Sequence, residues 1–470
     1  MTIKKAINLS CLSAILALVC TSCGKEFKAS DYTAYFGGEV TNPSSRYVLL
    51  YKNDDIVDTL MLDNNNRFFK KFDSLAPGMY NFRHEPEYQY VYFDKNDSLM
   101  VAINALDFDE SIVFSGRGDQ KNNYLMEVYL ANEHDRDNMF RVFDYDVAKF
   151  NKLIDSTYLH NLRKYSEKKT EMQWSAGFDV FARAAIDFPY YSKKEVYPLV
   201  HKMRTGEDIV AKLPKTYYEY RKKIDYNNLQ LSNYSPYVKY LTHMLSNVAS
   251  TNNDNHHLSE PELSLTTNTR KLDIADTLIH NEKIKNTILN NIAFTYLLED
   301  QNMVNNQKFL ATYHKYSTDK SQKNEITKIG KAIQLLHTGN QLPEVELIDT
   351  SGTNINSSQV VTQKAVVFFW SEKALTHLVE THKKVLELKR HFPNYEFIAI
   401  NLDDNQAKWK SLLAQYKFDG IKEYRAANFE DLKAKWAITK IHRTIVVDNG
   451  GKIKNAFTSL FDSEFDENLK

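Results

Sequence analysis

Cysteine is almost missing from this chain: of 470 residues three are cysteine, Cys11, Cys20 and Cys23, and none follows residue 23. Past that point no disulfide, no cysteine-based metal site and no thiolate nucleophile can form within the chain. A surplus of charge is missing too. Lysine plus arginine and aspartate plus glutamate number 60 each, so no net field draws in nucleic acid or basic partners. The common catalytic signatures are also lacking, with no Gly-x-x-x-x-Gly-Lys loop, no His-Glu-x-x-His pair and no Gly-x-Ser-x-Gly turn. No internal repeat of fixed period supports a solenoid. What is present is ordinary folding material, 43% hydrophobic and 26% charged, in a length that suits about three domains.

Lys4 and Lys5 precede a stretch from Cys11 to Cys20 that is apolar apart from Ser13. A basic start before a short apolar segment is the pattern of an export signal, and this stretch is too short to span a bilayer. It ends in Cys20-Thr21-Ser22-Cys23-Gly24, with a small residue just before Cys23. The segment resembles the lipobox of bacterial lipoproteins. That resemblance implies cleavage before Cys23 and acylation of Cys23 itself. Cys20 fits less well because Val19 would occupy the small-residue site, and Cys11 lies too near the start. Each buried methylene contributes about 0.8 kcal/mol, so several acyl chains hold a protein firmly to a membrane. The expected location is therefore the cell envelope, lipid-anchored at the outer membrane on its periplasmic or surface face. Residues 1–23 are read as the signal peptide and 24–32 as a tether.

Between residues 33 and 118, short β-rich runs alternate with turn signals such as Asp63-Asn64-Asn65-Asn66 and Ala76-Pro77-Gly78, which predicts an antiparallel, sandwich-like β-domain. Tyr88, Tyr90 and Tyr92 share one face of a strand and Val91 and Phe93 the other. The simpler reading is a row of half-buried tyrosines, the sharper one a stacking platform for sugars or peptides. Asp107 to Glu110 lacks the glycine and terminal glutamate of a calcium loop and reads as a turn. From 119 to 338 the apolar period shifts to three or four residues, as in Val147, Phe150, Ile154, Tyr158, Leu162 and Tyr165, which predicts a central all-α region. A second stripe from Trp174 to Ala185 is expected to stop at Pro189. Asn252 to Pro261 reads as an exposed loop, and His256 with His257 as a solvated pair, since no third ligand stands at fixed spacing.

From 339 to 470 the pattern changes again. Ala365 to Trp370 is a continuous apolar run, as in a strand covered on both faces. Leu375, Leu378, Val379, His382, Val385 and Leu386 trace a helix face, and Tyr395 to Leu402 forms a second strand. Helices are expected over Gln406–Tyr416 and Phe429–Ala437, then a hairpin turning at Asn449-Gly450. Leu342-Pro343, Phe369-Trp370, Thr444-Ile445-Val446-Val447-Asp448 and Gly451-Lys452-Ile453, in this order, resemble the thioredoxin superfamily, specifically the membrane-anchored thiol oxidoreductases of the TlpA and ResA type. The fold class expected for the whole is thus multidomain α+β, with an α/β thioredoxin-like domain at the C-terminus.

The resemblance places two redox cysteines four and seven residues after the tryptophan, where this chain has Ala374 and His377. It also places a cis-proline just before the penultimate strand, where this chain has His442. Thiol–disulfide exchange needs a thiolate, which neither alanine nor histidine supplies. His377 and His442, with Glu372 and Glu380 nearby, could instead hold a metal ion or serve acid–base chemistry. A helix starting near Ala374 beside Arg443 could attract an anion, with Glu372, Arg443 and Trp370 as ligand contacts. The expectation is a redox-inactive binding or scaffolding lipoprotein without catalytic residues, cofactor or resident metal. Its expected partners are the membrane, through the N-terminal lipid, and an envelope protein, peptide or glycan, with nucleic acid excluded. The enzymatic alternatives are an oxidoreductase working with a partner's thiols and a metal-dependent activity at His377 and His442. A surface lipoprotein that captures nutrients is the third reading.

Overall fold

The computed structural model describes residues 32–470 apart from 54, 85–86, 252–258, 300–301, 373, 439–440 and 463. The lipobox with Cys23, and His256 and His257, lie outside the described residues. The chain divides into two compact units, one running through Leu130 and including Glu167–Ala182, the other made of Ala131–Ser166 and Arg183–Lys470. Among the described residues no helix is long and apolar enough to cross a membrane.

The first unit contains β1 (Ala34–Thr41), β2 (Tyr47–Lys52), β3 (Asp55–Met61), β4 (Arg67–Phe72), β5 (Gly78–His84), β6 (Glu87–Phe93), β7 (Ser98–Asn104) and β8 (Val113–Arg117). They form two four-stranded sheets, ordered β4-β1-β7-β8 and β3-β2-β5-β6. All pairs are antiparallel except β1 with β7, which run parallel. Period-two alternation turns Phe36, Phe68, Phe82, Phe93, Phe114, Leu50 and Val91 into one buried core. Gly38 lets β1 and β7 meet: a Cβ there would fall 2.3 Å from the Val101 carbonyl. Asp107 to Glu110 is not a turn. It opens the one-turn helix α1 (Phe108–Ser111), with Asp107 at the N-cap position, and Asp109 accepts hydrogen bonds from Gln89 (3.1 Å) and Tyr129 (2.9 Å). Acidic side chains suit a helix start because they face its unpaired N–H groups.

Three long helices follow, α2 (Asp119–Val142), α3 (Val147–Met172) and α4 (Ala176–Thr205). The predicted stripe on α3 buries Phe150, Ile154 and Tyr165. The expected stop at Pro189 does not occur, and α4 runs on through both Pro189 and Pro198. A proline inside a helix leaves the carbonyl four residues earlier without its N–H partner. Here each of those carbonyls is taken by a side chain of the second unit. Asn132 donates to the Ala185 carbonyl at 3.1 Å, and the Tyr217 hydroxyl to the Lys194 carbonyl at 3.4 Å. Further along α4, Glu195 is fully buried. It accepts from Tyr220 (2.7 Å), Asn247 (2.7 Å) and the guanidinium of Arg221, which makes the burial of a carboxylate tolerable.

The remaining helices are α5 (Ser235–Ser250), α6 (Glu260–Leu278), α7 (Glu282–Glu299), α8 (Met303–Tyr316) and α9 (Lys320–Leu335). Over residues 216–225 the region forms only a 3-10 turn at Glu219–Lys223. Helix α6 was not anticipated, although Ser259 and Glu262 form a capping box at its start.

The C-terminal domain is a seven-stranded mixed sheet of β9 (Glu346–Ile348), β10 (Asn354–Asn356), β11 (Ala365–Trp370), β12 (Glu396–Asn401), β13 (Lys422–Ala426), β14 (Arg443–Asp448) and β15 (Lys452–Ser459), ordered β10-β9-β13-β12-β11-β14-β15. After the short helix α10 (Ser357–Val360), α11 (Leu375–His391) and α12 (Gln406–Tyr416) link the parallel strands β11, β12 and β13, and α13 (Phe429–Trp436) leads to β14. Every residue of β11 is buried, as its unbroken apolar sequence predicts. Val366, Phe368, Trp370 and Val446 face Leu378, Val385 and Leu388 of α11 and Trp409 and Leu412 of α12. On the opposite face Phe369 meets Trp436 of α13. Gly450 and Gly451, at φ 71° and 74°, make the predicted turn between β14 and β15.

Candidate binding site at the start of helix α11

Strand β11 delivers Trp370 to the sheet's end, and the chain turns through Ser371 to Ala374, which occupies the N-cap position of α11 without contributing a side-chain cap. Asp403, just past β12, holds this turn. Its carboxylate accepts from Ser371 Oγ (2.7 Å), the Glu372 backbone N–H (2.6 Å) and Asn401 Nδ2 (2.9 Å). The turn is therefore set by a residue 31 positions beyond Glu372 and 32 beyond Ser371, which no local pattern reveals.

His377 sits in the first turn of α11, half-buried, and neither ring nitrogen has a hydrogen-bond partner. Burial holds its pKa below the ordinary imidazole value, and His442 and His382 push in the same direction. Strand β14 runs antiparallel to β11 with Thr444 opposite Phe368, so the chain entering β14 at His442 lies at the same end of the sheet as the chain leaving β11 toward His377. His442 itself is exposed. Two buried hydroxyls, Thr381 one turn beyond His377 and Thr444 opposite Phe368, are likewise without partners. Among the described residues no group of three or more His, Cys, Asp or Glu side chains is arranged to hold a metal ion, so the two imidazoles lack a third protein donor.

Arg443 departs from the expectation of an anion contact beside the helix start. Val446 and Thr444 face α11, and strand alternation turns Arg443 to the other side of the sheet. There it is 7% exposed, donates to the carbonyls of Ala456 (2.8 Å) and Ala437, and lies over the Phe457 ring. Ala437 is the left-handed C-cap of α13, where a cation complements the unpaired carbonyls. Burial lowers the Arg443 pKa, and no carboxylate offsets it among the described residues. Arg443 is thus a helix cap rather than a ligand contact.

Trp370 is also directed inward. Its indole N–H donates to Glu423 Oε2 at 3.2 Å, while Glu423 Oε1 lies 2.9 Å from His382 Nε2. His382 Nδ1 is 2.7 Å from the Leu378 carbonyl, which only accepts, so Nδ1 carries a proton and one further proton is shared across the Nε2 and Oε1 contact. The pair is therefore neutral overall, and fully buried His382 stacks on Phe418 at 3.9 Å. Sequence reading placed His382 on the buried face of α11 but missed Glu423, because strand β13 was not anticipated.

Residues 363–453 match the family model described as thioredoxin-like. The C-terminal domain is thioredoxin-like. It is similar to the thioredoxin domain of a thiol–disulfide oxidoreductase from Bacteroides vulgatus, at 20% identity over 25% of this chain and 85% of that one, TM-score 0.22. A structure described as a candidate thiol–disulfide oxidoreductase from the same organism is 20% identical over 29% and 96%, TM-score 0.26. A domain described as a candidate thiol–disulfide isomerase from Cytophaga hutchinsonii is 22% identical over 28% and 89%, TM-score 0.25. No curated protein matches the chain.

Proposed function

We propose that this is a lipid-anchored envelope protein whose thioredoxin-like domain binds a partner and exchanges no disulfides. The observation that carries the proposal is the pair Ala374 and His377 at the start of α11, in a chain with no cysteine after residue 23. Exchange proceeds by a thiolate attacking sulfur, and this domain has no sulfur nucleophile to offer. In its place stand a half-buried imidazole and two buried hydroxyls that lack partners, groups able to donate and accept hydrogen bonds. Unpaired buried polar groups are costly, which makes this neighbourhood receptive to a polar ligand.

The test is insulin reduction by the mature protein in dithiothreitol. Turbidity is expected to develop at the rate of dithiothreitol alone, and acceleration above that rate would refute the proposal.

A further inference from the structure

The first unit carries a second candidate surface, independent of the reading of the thioredoxin-like domain. In the sheet ordered β3-β2-β5-β6, Leu49, Arg83 and Tyr88 stand in one row across the strands, and Tyr51, Asn81 and Tyr90 in the next. Their strand neighbours Leu50, Phe82 and Val91 are buried in the sandwich core, so alternation turns both rows outward. Tyr92, farther along the same face, is covered by Phe178 and Phe181, which bounds the surface at that end. Tyr88 remains 46% exposed, and its ring meets that of Tyr90 nearly at right angles, centroids 5.9 Å apart.

Arg83 lies in the middle. Its guanidinium is 4.1 Å from the centroid of Tyr51 and 5.7 Å from that of Tyr88, and Nε–H donates to Asn81 Oδ1 at 3.1 Å. Among the described residues no carboxylate pairs with Arg83, and the groups that these strands turn outward around it carry no acid. Among the described residues this leaves a planar cation without a counter-ion, held by rings and an amide.

We propose that this face binds an acidic saccharide, with the carboxylate of a uronate-type sugar on Arg83 and a pyranose face on Tyr88. A guanidinium matches a carboxylate through two parallel N–H donors. The C–H face of a sugar ring carries partial positive charge and meets the negative face of a tyrosine ring. Because Asn81 and Tyr51 already fix the guanidinium, little ordering remains for the ligand to impose. An acidic peptide would satisfy Arg83 but offers no ring-sized C–H face to the tyrosines.

Titration calorimetry of the full-length mature protein tests this with tetragalacturonate as probe, and with maltotetraose and short polyglutamate as comparators. Saturable binding of tetragalacturonate is expected, weakened by about tenfold or more in Arg83→Gln and in Tyr88→Ala, restored in Tyr88→Phe, and reduced by salt. Unchanged melting of each variant separates lost contacts from lost fold. The proposal is overturned if tetragalacturonate does not bind, if Arg83→Gln binds it equally well, or if maltotetraose or polyglutamate binds as tightly.

Discussion

At the scale of single residues, the candidate site at α11 is governed by side chains that no spacing rule groups together. Ala374, His377 and His442 were legible because they occupy counted positions in a recognisable pattern. Asp403, Glu423 and Thr444 were not, since each reaches the site from a segment distant in sequence, Asp403 from just past β12 and the other two from β13 and β14. The ordering of protonation in this neighbourhood follows from the geometry. His377 is held below its usual pKa first by burial and then by its histidine neighbours, so its folded value lies under its unfolded one. The stability this contributes is present above about pH 6.5 and is lost as pH falls through the folded value, when the unfolded chain binds the proton more readily. Nitrogen-detected NMR of the imidazoles should show His377 titrating at lower pH than a free histidine. In His442→Ala its midpoint should rise, because one source of repulsion is gone. An unmoved midpoint would mean that the two rings do not sense each other.

Elements show a different balance between local pattern and packing. The strands of the β-domain and β11 follow directly from alternation and from unbroken apolar runs, which act within a few residues. Helix α4 contradicts the local rule, since two prolines fail to break it. The reason is tertiary: Asn132 and Tyr217 satisfy the carbonyls that Pro189 and Pro198 leave open. Asn132→Ala should therefore destabilise the protein by about 1–3 kcal/mol, the usual cost of a buried carbonyl left unpaired. Tyr217→Phe removes a longer bond and is expected to cost less through this route. Urea unfolding measures both. An unchanged midpoint in Asn132→Ala would show that water or helix bending accommodates Pro189 without the asparagine. Helix α6 is the reverse case: its capping box at Ser259 and Glu262 is a local signal in the sequence, adjoining a polar run whose composition favours loop.

On the scale of the whole molecule, the proposed envelope location depends on Cys23. Labelling of expressing cells with radioactive palmitate should mark the wild-type protein, and Cys23→Ser should remain unlabelled and leave the membrane fraction. Label on the Cys23→Ser protein would place the lipid elsewhere and defeat the anchor assignment. What the sequence alone determined is what depends on residue identity or short range: the absence of thiols beyond residue 23, the neutral charge, the β-rich, helical and thioredoxin-like succession, and the presence of Ala374 and His377 four and seven residues after Trp370. What only the tertiary structure decided is where long-range partners fall. It turned Arg443 to the far face of the sheet, set Glu423 under Trp370, and brought Arg83 between Tyr51 and Tyr88. The physical reason is that strand register and helix packing bring together residues tens of positions apart, and a buried polar group is fixed by whichever partner folding brings within hydrogen-bond reach.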